Sequence, residues 1–336
     1  MFRLILALPL IALLAASCSS KAASAAATAA DEQPEWLLTD SALLPSADTL
    51  YSLVEQQVAF GPRVPGTKAH TDCREHIIDL LHRYGADSVT VHTAPVTDPS
   101  TGKDATVYNI FASINPAALH RVILLAHYDS RPTADEDPDP KRRALPIDGA
   151  NDGASGVAVM LETARLLAKA PLDSLGVDLL FTDYEDSGIE GGGDGTWCLG
   201  AQAWAEQMPY TAVNRPQFGI LLDMVGGKNA VFPREYFSDR HASTVVDKVW
   251  AVASAASLAS RFPNSAGGAI TDDHLPLNQA GIPTIDIIES NNPATGSFNP
   301  TWHTSSDNLA SIDPATMQAV ATVVVATLRR ENSLLK

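Results

Sequence analysis

Four apolar, strand-like runs alternate with stretches of helical period, and this alternation limits the folds open to the chain more than any other feature. The runs are Arg121 to Ala126, Gly176 to Asp183, Phe218 to Val225 and Ile282 to Ile288. Between them lie Ala154 to Ala170, with Val157, Leu161, Ala164 and Leu167-Ala168 on one face, a helical stretch near Gly200 to Gln207, and a longer one from Ala242 to Ser257. Strand–helix–strand repetition predicts a parallel sheet, because each crossover helix has to pack back onto a sheet face. Two earlier strands, Ser88 to His92 and Val107 to Ile114, and helices at Ala47 to Val58, Lys68 to Tyr84 and Pro314 to Arg330 extend the pattern. The expected fold is a three-layer α/β/α domain with a central mixed, mostly parallel, twisted sheet. No internal repeat and no second composition break is visible, so residues 46–336 read as one domain.

The strand-like runs share a second property: most end in a carboxylate or an imidazole. His127-Tyr128-Asp129 follows the first run, Glu185-Asp186 follows the second, and Asp223 sits inside the third. Asn151-Asp152-Gly153 stands just ahead of a helix, and Trp302-His303 comes near the end of the chain. Singly, each is weak: an Asp after a strand is more often a turn or helix-cap residue than a ligand. Together they gain force, since ligands in open α/β sheets collect at the carboxyl ends of strands. Two His among several Asp and Glu suit a borderline cation such as zinc. Two loops frame these segments: a rigid one at Phe60 to Gly66, and a long polar one from Arg131 to Pro146 of the kind that contacts substrates.

The 336 residues are 45% hydrophobic and 18% charged, which is enough apolar material for a large core. A net charge of −16 without a basic patch argues against nucleic acid. The short cluster Lys141-Arg142-Arg143 follows Asp135, Glu136, Asp137 and Asp139 and balances them locally. At the N-terminus, Arg3 precedes an apolar run from Leu4 to Ala16, too short to span a bilayer, and small residues and Cys18 follow. Leu14-Ala15-Ala16-Ser17-Cys18 resembles a bacterial lipoprotein signal in which Cys18 is lipidated after cleavage; an ordinary secretory signal is the alternative. Residues 1–17 are then a leader and 18–45 a flexible Ala/Ser-rich tether. An exported lipoprotein, periplasmic or anchored at the outer membrane, is expected, touching the membrane through its lipid alone. Cys73 and Cys198 remain in the mature chain, either as a disulfide suited to an oxidising compartment or as two buried thiols.

His127-x-Asp129, Asn151-Asp152-Gly153-Ala154-Ser155-Gly156, Glu185-Asp186, Asp223 and His303 resemble, in order and spacing, the zinc-dependent aminopeptidase family that also contains the animal and bacterial glutaminyl cyclases. The resemblance runs from about Ser46 to the end. In the aminopeptidase branch, the positions of His127, Asp152, Asp186, Asp223 and His303 hold two metals. In the cyclase branch, those of Asp152, Asp186 and His303 hold one zinc, and His127 with Asp129 becomes support for it. Glu185 occupies the proton-transfer position in both.

Three features lean towards the cyclase branch. Asp272-Asp273-His274 has a carboxylate where the peptidases usually place Ser, and in cyclases that Asp joins a network with the positions of Glu185 and Asp223. Trp302 precedes His303 where peptidases more often carry Tyr, and in cyclases this indole walls the substrate pocket. Phe60 to Thr67 and Thr196 to Gly200 look like the bacterial cyclases. Asp186 stands where the peptidases have Glu, and Gly188 to Gly195 is glycine-rich where cyclases often carry an aromatic residue. The resemblance implies conversion of N-terminal Gln of peptides or proteins to pyroglutamate with loss of ammonia, one zinc ion, and Glu185, Asp223 and Asp272 as the catalytic carboxylates. A two-metal aminopeptidase is the alternative, and a peptide-binding lipoprotein without activity a distant third.

Overall fold

Burial on both faces explains why the central strands are almost continuously apolar. In a computed structural model, which describes residues 34–336 apart from residue 190, strands β3 (His120–His127), β4 (Leu175–Thr182), β5 (Phe218–Leu222) and β6 (Thr284–Ile287) are buried along nearly their whole lengths. The leader-like segment, Cys18 and the tether up to residue 33 lie outside the described residues. Trp36–Lys336 form one compact unit.

The sheet has six strands in the order β1-β2-β4-β3-β5-β6, with β1 as Ser88–Thr97 and β2 as Asp104–Ile114. β1, β2 and β4 pair antiparallel, whereas β4, β3, β5 and β6 run parallel, which gives the expected mixed sheet. Side chains alternate along each strand, so one strand feeds two cores. Val122, Leu124 and Ala126 of β3 join the larger cluster, which contains residues of α1 (Ala47–Val58), α2 (Lys68–Arg83), α3 (Ala154–Lys169), α5 (Tyr236–Ala255) and α7 (Pro314–Ser333). Ile123 and Leu125 join a smaller one on the other face with Ala201 and Trp204 of α4 (Leu199–Glu206) and Leu277 of α6 (His274–Gln279). Gly156, in the first turn of α3, admits no side chain: a Cβ there would stand 2.0 Å from the Leu222 carbonyl oxygen. That close approach sets the start of α3 against the end of β5.

Strand ends shift by up to three residues at β2 and β5, and three further elements depart from the sequence expectation. β1 runs on through Pro95 to Thr97, which an edge strand tolerates because a missing N–H there breaks no ladder bond. α5 starts at Tyr236 instead of Ala242, because the Glu235 carboxylate accepts the Phe237 and Ser238 amides and caps a turn that apolar periodicity does not reveal; the helix is broken at Ala242, with φ −141° and ψ 36°. The short α6 has no periodicity long enough to read. Cys73 and Cys198 are both free thiols, one in each hydrophobic cluster, so no disulfide joins them.

Candidate functional site

The parallel strands deliver the predicted residues to one edge of the sheet. His127 is the last residue of β3, Glu185 and Asp186 follow β4, and Asp223 follows β5. Asp152 comes from the turn before α3, Asp272 from just ahead of α6, and His303 from the loop before α7. The sheet order reverses around β3, with β4 on one side and β5 then β6 on the other, and a crevice opens at such a reversal. A cleft of about 600 Å3 occupies it, lined by Asp152, Glu185, Asp186, Asp223, Asp272, Trp302 and His303 among others.

Asp152 stands at the centre. His127 Nε2 lies 3.0 Å from one Asp152 oxygen and 3.3 Å from Asp223, while its Nδ1 is 3.5 Å from Asp129. On the other side, His303 Nε2 lies 3.1 Å from Asp186 and 3.7 Å from the second Asp152 oxygen. Burial would discharge the His127 ring, but the carboxylates of Asp129, Asp152 and Asp223 beside it outweigh that and hold the imidazole well above its usual value. Burial raises the Glu185 carboxyl far above the carboxylate range; His127 opposes the shift, and Asp272 and Asp186 add to it. The same holds for Asp272, where burial is joined by the charges of Asp223 and Asp273. Behind them Asp286 of β6 is wholly buried beside the Asp272 carboxyl, and no N–H or hydroxyl group among the described residues donates to it. Like-charged carboxyls this close share protons and do not all ionise.

The structure shows how Asp129 acts and supplies further partners that the sequence does not single out. Asp129 accepts the backbone N–H groups of Glu185 and Asp186, each at 3.2 Å, and so fixes the segment that carries them. Asp307 does the same for Asn151 and Asp152, at 2.8 and 3.0 Å. Arg131 is 3% exposed, forks onto Asp135 at 2.7 and 2.6 Å and reaches Asp186 at 3.2 Å; Asp135 in turn lies 3.5 Å from His303 Nδ1. Two indoles lie nearly parallel to the His303 ring, Trp302 at 3.7 Å and Trp197 at 6.4 Å. Trp197 also settles what walls the glycine-rich stretch: a Cβ at Gly188 would stand 2.1 Å from its ring. Arg131, Asp135 and Asp307 are ordinary loop residues in the sequence, and only the proximity of Arg131 to His127-Tyr128-Asp129 hints at a role.

The donor set fits a metal ion. Asp152, Asp186 and His303 each offer an atom within 4.8 Å of the others, and His127, Asp152 and Asp223 form a second such group sharing Asp152. Asp186 Oδ2, Asp223 Oδ1 and His127 Nε2 are buried without an aligned hydrogen bond, and orphaned donors of this kind are expected where a cation completes the shell. Carboxylates with imidazole suit zinc. Backbone strain collects here too: Tyr184, Cys198, Met224 and His303 all have φ between 47° and 56°, and each borders or belongs to the site.

Residues 109–328 match the family model described as Peptidase family M28. A glutaminyl cyclase from Bacteroides thetaiotaomicron, solved bound to N-acetylhistamine, is 43% identical over 85% of this chain and 98% of that one, with a TM-score of 0.81. A protein from the same organism, described as a leucine aminopeptidase precursor, is 42% identical over 85% and 97% of the two chains, with a TM-score of 0.79. The glutaminyl-peptide cyclotransferase of Drosophila melanogaster is 27% identical, over 78% of this chain and 75% of that protein.

Proposed function

The chain belongs to peptidase family M28, and from that premise we infer that it is a glutaminyl-peptide cyclotransferase, which closes N-terminal Gln of peptides to pyroglutamate and releases ammonia. The observation that carries this reading is the proximity of Asp272 to Glu185, with ligand atoms inside 4.8 Å of each other. A carboxylate at that place gives Glu185 a neighbour that raises its proton affinity, which suits a residue that must take up a proton and hand it on.

In this reading Asp152, Asp186 and His303 hold a single zinc, with His127 and Asp129 as support. Zinc supplies Lewis-acid polarisation of the side-chain amide carbonyl when bound. Glu185 accepts a proton from the peptide's own α-amine as the amine attacks the amide carbon, then returns it to the departing ammonia. Because the nucleophile belongs to the substrate, proximity is built in and no water is needed. Asp223 and Asp272 hold the shared proton charge next to Glu185. Trp302, with Trp197 and Phe298, walls the small pocket and limits water around the amide. The exported-lipoprotein part of the proposal rests on Cys18 and the leader before it: the lipid holds the chain at the membrane and residues 18–45 serve as tether. Acyl labelling of the full chain that persists in a Cys18→Ala variant would remove that part.

The aminopeptidase reading retains one specific support: the His127, Asp152 and Asp223 group is complete. One experiment decides between the two. The protein is incubated with Gln-peptides and with amino-acid arylamides, and zinc per chain is measured. Ammonia release with one zinc supports the cyclase, and arylamide cleavage with two metals replaces it.

A further inference from the structure

One residue that the mechanism above does not use holds Glu185 at two points. The Cys198 amide donates to the Glu185 carbonyl oxygen at 3.0 Å, and the Cys198 thiol donates to Glu185 Oε1 at 3.5 Å. Among the described residues no other side chain donates to that carboxylate, and no arginine, lysine or histidine forms an ion pair with it. Cys198 is 2% exposed and sits at the mouth of α4 with φ 56° and ψ 33°, a left-handed conformation that is uncommon for a residue with a Cβ. That conformation turns both the amide and the thiol back towards Glu185. Its ring of neighbours is specific as well: Glu185, Cys198 and Asp272 each place one ligand-type atom within 4.8 Å of the others.

We propose that Cys198 is a positioning residue for proton transfer, holding one oxygen of Glu185 so that the other faces the cleft. The proposal rests on the reading of Glu185 as the proton-transfer group. A thiol is a suitable donor for such a task because it is weak. A lysine or arginine in its place would pin Glu185 in the ionised form, whereas a weak neutral donor orients the carboxyl in both protonation states. The buried, acidic surroundings push the thiol's own pKa well upward, so it stays a donor. Burial also keeps it from acting as a nucleophile, for which a thiolate is needed.

The test compares Cys198→Ala and Cys198→Ser, with kcat, KM and zinc per chain measured for each. Alanine is expected to lower kcat by about fivefold, the worth of one modest hydrogen bond, with KM and zinc unchanged. Serine, which keeps a donor, is expected to recover most of that loss. Wild-type kcat in the alanine variant, a serine variant no faster than alanine, or a loss carried by KM would each overturn the proposal. If neither variant folds, the S–H infrared stretch is read in the otherwise unaltered protein and in Glu185→Gln: the Cys198 band must shift between them, and an unshifted band overturns the proposal. Glu185→Gln also separates the two readings. A dead Glu185→Gln enzyme beside a silent Cys198→Ala variant removes only the role of Cys198, whereas an active one removes that of Glu185 itself.

Discussion

Around Asp152, one imidazole lies among three carboxylates and the other beside two indoles and an arginine–carboxylate pair. His127 touches Asp129, Asp152 and Asp223, and their carboxylates drive its ring towards the charged form. A metal entering that half has to displace the proton first. His303 instead has its Nδ1 towards Asp135, whose charge is met by Arg131, and its Nε2 towards Asp186 and the cleft. The two halves share a ligand type and a central carboxylate, and the proposed single-zinc reading gives protons to the first and the metal to the second.

The sharpest way to break this comparison is to remove each imidazole. His303→Ala is expected to lose zinc and at least about 10³-fold in kcat/KM, because several kcal/mol of Lewis-acid stabilisation leave with the metal. His127→Ala is expected to keep its zinc and lose about 10–100-fold, the range typical of residues that support ligands without binding the ion. Metal analysis and ammonia release on both variants provide the check. Equal zinc loss in the two would make the halves equivalent and favour the two-metal reading.

Metal removal gives the next effect. Chelator-treated protein titrated with zinc should saturate at about one ion per chain and gain about 4 kcal/mol of stability at a thousandfold excess over Kd. His127→Ala should show the same gain and His303→Ala none, measured as the zinc-dependent rise in Tm. A smaller effect belongs to the walls of the His303 half. Trp302 packs on His303 at 3.7 Å and on Phe298 at 4.6 Å and lines the cleft, so Trp302→Ala should raise KM roughly tenfold with kcat nearly kept. Trp302→Phe should restore most of it. A loss confined to kcat would mean that the indole positions His303 and does not contact substrate.

Much of this arrangement was legible in the sequence, because strands and amphipathic helices announce themselves by period and because ligand residues at strand ends follow from how parallel sheets bind. The strands β3 to β6, the helices α1, α3 and α7, and the gathering of Asp152, Glu185, Asp186, Asp223, Asp272 and His303 in one cleft all agree with that reading. What escaped it depends on contacts between residues far apart in the chain. Asp307 holds the Asp152 turn from 155 residues away, and Arg131 reaches Asp186 across 55. The positive φ of His303 and Tyr184 also has no sequence mark, since neither is glycine and the strain is imposed by tertiary packing. Hydrophobic period encodes layers; it carries no record of which loop carboxylate caps which loop amide.

The two amide clamps give the last and finest contrast. Asp307 grips the turn of Asp152, the carboxylate common to both halves, and its carboxyl is raised from 3.8 to about 7, first by burial and then by the charge of Asp152. A carboxyl whose folded value exceeds its unfolded value binds extra protons in the fold between those two values, so unfolding releases them. Its contribution to stability is complete below about pH 4 and shrinks as pH rises through about 7. Chelator-treated protein, unfolded in urea at a series of pH values, should therefore lose stability with rising pH across that window, and Asp307→Asn should flatten the slope whatever its effect on stability itself. If zinc binds Asp152 it offsets that charge and leaves the burial, so in zinc-loaded protein the slope should be shallower but not absent. If zinc leaves it unchanged, the metal does not neutralise Asp152, and the division of the centre into a proton-holding half and a metal-holding half fails at the residue they share.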